Sequence, residues 1–182
     1  MKIAPLNREA TVEDLVQVEG KAELLDGRLV HVSPAGDLHG TAALNVATSL
    51  KLYQREHGGG RAYGDNVGFL LGPRTAFAPD ASWYVGPRSG ARFLEGAPAF
   101  AVEVRSPDDY GPAAERRLGA KRANYFAAGT QVVWDVDVIR EPLIRVYHAA
   151  RPESPVTVRR GEVANAEPAV PGWRFPVDDL FA

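Results

Sequence analysis

The sequence predicts a mixed α/β fold, a mostly β sheet with helices on its faces, and three observations carry that prediction. Two long segments, one from Leu38 and one from Pro112, have helical composition and clear stops. Short runs rich in valine and aromatic residues lie between and after them, as strands do. An Asp26-Gly27 pair between two apolar runs marks a tight hairpin near the start. Helices packed on a sheet are the natural layer solution for this pattern.

Taken in order, "TVEDLVQVEG" reads as a short first helix, with Thr11 as N-cap, Glu13 and Asp14 in the first turn and Gly20 at the end. "AELLDGRLVHVSP" reads as the hairpin, pairing Leu25 with Arg28 and Glu23 with Val30. In "LHGTAALNVATSLKLYQREHGGG", Leu44, Ala47, Leu50 and Tyr53 recur at helical spacing, and Gly58-Gly59-Gly60 stops the helix. Strands follow near Ala62–Leu71, Ala81–Val85 and Ala99–Val104. "PAAERRLGAKRANYFAAG" is a second long helix, with Pro112 near its start and Gly129 at its end. "TQVVWDVD" and "PLIRVYHA" read as two further strands, and the aromatics of "VPGWRFPVDDLF" pack the tail against the body.

The 182 residues suit a single domain, 1–182, able to bury roughly 70% of its unfolded surface. The chain has no cysteine, which excludes disulfides and thiolate metal sites and is compatible with a cytoplasmic setting. No apolar run is long enough to span a membrane, and "MKIAPLNREATVEDL" carries charges where a secretory signal needs an apolar core. A net charge of −2 argues against a broadly basic nucleic-acid coat. The segment Arg105–Arg122 is nonetheless a modest positive island, with Arg105, Arg116, Arg117, Lys121 and Arg122 against Asp108, Asp109 and Glu115. It suits a phosphate backbone better than a neutral small molecule.

Strand alternation then singles out carboxylates. In "FAPDASWYV", Asp80, Ser82 and Tyr84 share one face; in "FAVEVRS", Ala101, Glu103 and Arg105 do. If the two strands are neighbours, Asp80 and Glu103 converge. Taken alone, Asp80 could simply begin a strand, and an edge strand could expose Glu103. Glu23, in the hairpin, keeps apolar company with Leu25 and Val30, where an ionised carboxylate is costly without a cation. A divalent metal resolves the repulsion among three acids, and all-oxygen ligation points to Mg²⁺ or Mn²⁺ rather than zinc. Asp80 and Glu103 are the expected ligands, with the Val104 carbonyl, and Glu23 completes the set directly or through water. Arg117, Lys121 and Tyr125, spaced by four, share a helix face, and Lys121 can orient or help deprotonate an attacking water. Other motifs fail: no Gly-Lys-Ser/Thr follows the glycine run, and neither H-E-x-x-H nor G-x-S-x-G occurs.

The ordered pieces "EGKAELLDGRLVHVSP", "APDASWYV", "PAFAVEVRSPDD", "KRANYFAAGTQVVWDVD" and "VPGWRFPVDDLF" resemble the Uma-two family of restriction endonucleases, within the PD-(D/E)XK nuclease superfamily. The resemblance runs from Thr11 to Phe181 and implies a restriction-endonuclease-like fold. It matches Asp80 to the signature aspartate, Glu103 to the acid of the next strand, Glu23 to the N-terminal acid and Lys121 to a helix lysine. It also matches His39 to a histidine at the start of the first long helix. Arg105 departs from the superfamily, standing where its lysine stands; an arginine can hold a phosphate but not act as a base. Arg117 replaces an acidic residue frequent in relatives.

The expected function is a metal-dependent endonuclease on DNA, with Arg105, Arg117, Tyr125 and His39 toward the substrate. Duplex cleavage by paired sites would make it a homodimer. The rival reading is a catalytically inactive nucleic-acid-binding or regulatory module on the same fold, motivated by Arg105 and the acidic net charge. A purely structural oligomer component is a third class.

Overall fold

A computed structural model describes residues 8–182; the first seven, part of the segment weighed above as a leader, lie outside the described residues. The short helix α1 (Val12–Val16) starts where the cap predicts, with the Thr11 N–H donating to the Asp14 carboxylate at 2.8 Å. It ends at Val16, well before Gly20. Strands β1 (Ala22–Leu25) and β2 (Arg28–His31) form the hairpin in the register read from the sequence, Leu25 opposite Arg28 and Glu23 opposite Val30. Asp26 and Gly27 both take positive φ, 48° and 76°, as a two-residue hairpin turn requires.

Helix α2 (Asp37–His57) follows, then β3 (Arg61–Gly64), β4 (Phe69–Gly72), β5 (Thr75–Phe77), β6 (Ala81–Tyr84), β7 (Leu94–Glu95) and β8 (Phe100–Val104). Helix α3 (Pro112–Ala127) leads to β9 (Val132–Asp137), β10 (Leu143–His148), β11 (Arg151–Arg159), β12 (Val163–Asn165) and β13 (Arg174–Pro176), and a 3₁₀ turn (Val177–Phe181) ends the chain. The larger sheet has the order β11-β10-β9-β8-β6-β3, antiparallel throughout except for β8 beside β9. That parallel pair needs a crossover, and α3 supplies it. A smaller sheet has the order β2-β1-β5-β4-β7.

Each face of the larger sheet carries one helix. On one, Ala42, Ala43, Val46 and Leu50 of α2 pack over Trp83, Phe100, Val102, Val104 and Trp134, and the tail closes the layer with Trp173 and Phe175. The Phe100 and Trp134 rings meet edge to face at 5.0 Å. On the other face, Tyr125 of α3 packs with Phe77, Ala101, Val133 and Tyr147.

Three sequence expectations need correction. Leu44, assigned to the apolar face of α2, is 65% exposed, because the buried stripe runs through Ala42, Ala43, Val46 and Leu50. The single strand read over Ala62–Leu71 is two strands in different sheets, separated where Asn66 turns to φ 68°. The third is an omission: no strand is expected over Arg151–Arg159, where β11 runs through Pro152 and Pro155 at the sheet edge, a place that tolerates proline.

Under α3, the polar residues of this face form a buried ion network. Arg105, 4% exposed, spends all five N–H groups on Asp135, Glu115 and the Asp109 carbonyl. Asp109 ties down the loop before α3: it accepts from the Ser106 N–H and hydroxyl and pairs with Arg117 at 2.7 Å. Burial alone would raise its pKa, but these hydrogen bonds together hold it below the ordinary 3.8. A depressed carboxylate stabilises the fold fully above its unfolded value and loses that contribution as pH falls through its folded value. Asp109→Asn is therefore expected to cost about 1–2 kcal/mol at neutral pH. The difference from wild type should vanish as the solution is acidified below the ordinary value. Paired urea melts across pH check this, and a cost independent of pH would contradict it.

Candidate active site

Five elements from both sheets and both long helices deliver the candidate residues. The register Ala81↔Val102 and Ser82↔Ala101, continued by one residue, sets Asp80 opposite Glu103 on the α3 face. Asp80 sits at the mouth of β6, its N–H bonded to the Val102 carbonyl at 3.0 Å. Its Oδ2 accepts the Val104 N–H at 2.7 Å, and its Oδ1 lies 3.1 Å from Nε2 of His39, at the start of α2. Glu23 arrives from the smaller sheet. Pairing of β1 with β5 brings it beside Ala78, whose N–H donates to Glu23 Oε1 at 2.8 Å.

Lys121, at mid-α3, joins these parts. Its ammonium lies 3.0 Å from Glu23 Oε1, 2.9 Å from Glu23 Oε2 and 2.8 Å from Glu103 Oε2, and 5.3 Å above the Phe77 ring. One turn further along, the Tyr125 hydroxyl donates to Glu103 Oε1 at 2.8 Å. Glu23, Glu103, Lys121 and Tyr125 are thus in direct contact, and Asp80 and His39 adjoin them through Val104.

The electrostatics follow from burial. Desolvation pushes the Glu103 carboxyl up to about 7; Lys121 opposes that rise, while Glu23 and Asp80 add to it by repulsion. Burial alone would lower Lys121, but Glu103 and Glu23 outweigh it and drive its pKa upward, so it is held as an ammonium rather than a base. Burial, then Glu103 and Glu23, raises Tyr125 well above the ordinary phenol, so its hydroxyl stays a donor. The hydrogen bond to Asp80 raises His39 against the effect of burial.

The remaining expected residues sit elsewhere. Arg105, read as a phosphate contact, is sealed in the ion network and offers no free N–H. Arg117 shares the helix with Lys121 but turns to Asp109 and the Asp108 carbonyl, at the surface. Sequence reasoning missed the supports: Phe77 beneath the ammonium, the Ala78 N–H on Glu23, and Asp135 as the partner of Arg105. Asp135, between Trp134 and Val136, carried the same signal as Glu103 between Val102 and Val104: a carboxylate with apolar neighbours in a strand.

The donor set suits a hard divalent cation. The acids offer oxygen only, and burial makes an uncompensated carboxylate at Glu103 costly, which a cation close by relieves. Among the described residues, however, no three acidic or histidine side chains are gathered as a ready cage. The fit is to two carboxylates completed by backbone and solvent oxygens, as magnesium sites commonly are.

The fold and the family have counterparts among known proteins. A crystal structure described as a putative nuclease belonging to DUF820, from Anabaena variabilis, superposes with a TM-score of 0.77 at 17% identity, covering 94% of this chain and 97% of that one. That likeness shows the restriction-endonuclease-like fold. No curated protein matches the chain. The Uma2 family, described as "Putative restriction endonuclease", matches residues 12–178. The chain belongs to that family.

Proposed function

We propose that the protein is a divalent-metal-dependent endonuclease that hydrolyses phosphodiester bonds of DNA. The observation that carries this reading is the meeting of Glu23, Glu103 and Lys121, with Asp80 opposite Glu103 on the neighbouring strand. In this reading Asp80 and Glu103, with the Val104 carbonyl, hold Mg²⁺ or Mn²⁺, and Glu23 supports the acidic cluster. When bound, the ion supplies Lewis-acid polarisation of the phosphoryl group and offsets charge on the leaving oxygen. Lys121, a fixed ammonium, orients the attacking water and offsets charge developing on the phosphate. Tyr125 fixes one oxygen of Glu103, and so the carboxylate's aim. His39 orients Asp80 at the mouth of the site. Arg117, exposed on the same helix, is the cation best placed to exchange its carboxylate partner for a backbone phosphate.

The rival binding module drew its support from Arg105 and the acidic net charge. With every N–H of Arg105 committed internally, that side chain no longer favours it as a phosphate contact.

Nicking of supercoiled plasmid in Mg²⁺ or Mn²⁺ tests the proposal. The wild type should nick and chelator should stop it, while Asp80→Asn, Glu103→Gln and Lys121→Met, shown to be folded by thermal melts, should each lose about 10²–10³-fold or more. Wild-type rates in all three variants, or no cleavage of DNA in either metal, would overturn it. Cutting both strands of a duplex calls for two sites, and a homodimer supplies them. Light scattering should then give twice the 19.7 kDa chain mass, and a monomer at working concentration contradicts the pairing.

A further inference from the structure

Glu23, Glu103 and the adjoining Asp80 raise the question of how many divalent ions they take. The ammonium of Lys121 has three N–H donors and three close oxygens, two from Glu23 and one from Glu103. Both oxygens of Glu23 are turned toward it, and Glu23 Oε1 also accepts the Ala78 N–H. Phe77 lies beneath the ammonium. An ion bridging Glu23 and Glu103 would have to expel Lys121 and strand its charge in a buried place, at heavy desolvation cost. Asp80 stands apart from this contact: its ion-pair partner among the described residues is His39, and no lysine or arginine pairs with it.

Building on the nuclease reading, we propose that the site takes one divalent ion, held by Asp80 and Glu103, and that the Lys121 ammonium fills the place of a second. Glu23 is then a positioning residue: it holds Lys121 and does not touch the ion.

Counting Mn²⁺ bound to the full chain, by calorimetry with the free ion followed by electron paramagnetic resonance, tests this without any reference to cleavage. The wild type should bind one ion per chain. Glu23→Gln should still bind one, with affinity lowered less than about tenfold, whereas Asp80→Asn should lose about a hundredfold or more. Lys121→Met, freeing two carboxylates, should bind two, and Lys121→Arg should restore one. Two ions on the wild type, or Glu23→Gln weakened as far as Asp80→Asn, would overturn the inference. If Lys121→Met fails to fold, the Glu23→Gln and Lys121→Arg results still decide the matter. Two ions together with cleavage would sink the single-ion assignment alone. No Mn²⁺ binding and no cleavage would sink the nuclease reading along with it.

Discussion

An ammonium shared by two carboxylates, Glu23 buried and Glu103 partly so, ties the molecule's parts together at the candidate site. Glu23 comes from the smaller sheet, Glu103 from the larger, and Lys121 from the crossover helix between β8 and β9. Burying three charges costs several kcal/mol each before their attraction is counted, so the cluster is a poor device for stability alone. Its worth lies in what it holds ready: oxygen donors from separate strands, and a cation beside them whose charge is fixed by its neighbours. Burial raises the Glu103 carboxyl, while Glu103 and Glu23 raise the Lys121 ammonium against burial.

Two cations on the same sheet face have separate duties. Arg105 lies two residues beyond Glu103 on the same side of the chain, yet its planar fork is matched by Asp135 and Glu115. It anchors the strand end and the start of α3, which carries Lys121 and Tyr125. Lysine, a compact charge on a flexible stem, meets the site's acids instead. A lysine at position 105 would leave donors missing from the ion network, and an arginine at 121 would have to fit its broader head between two carboxylates.

Much of this was legible in the sequence because strand alternation is a short-range rule. The phases of "FAPDASWYV" and "FAVEVRS" put Asp80 and Glu103 on matching faces, and the Asp26-Gly27 turn fixed the face of Glu23. What stayed hidden depends on contacts distant in the chain. Helical spacing alone could not say whether Leu44 or Val46 faces the sheet, since both lie on plausible stripes. Nothing local shows that Arg105 will find Asp135 across a parallel pairing, or that Asn66 will send the chain into another sheet. Arg117 shares its helix face with Lys121 by spacing, but lies a turn nearer the loop, where Asp109 captures it.

In the proposed site, acids from separate strands serve one cation with Lys121 as a built-in neighbour. Anomalous diffraction from crystals soaked in Mn²⁺ would locate that ion. A single peak touching oxygens of Asp80 and Glu103 is expected, with Lys121 still bridging Glu23 and Glu103. A peak ligated by Glu23 with Lys121 displaced, or one remote from Asp80, would contradict it.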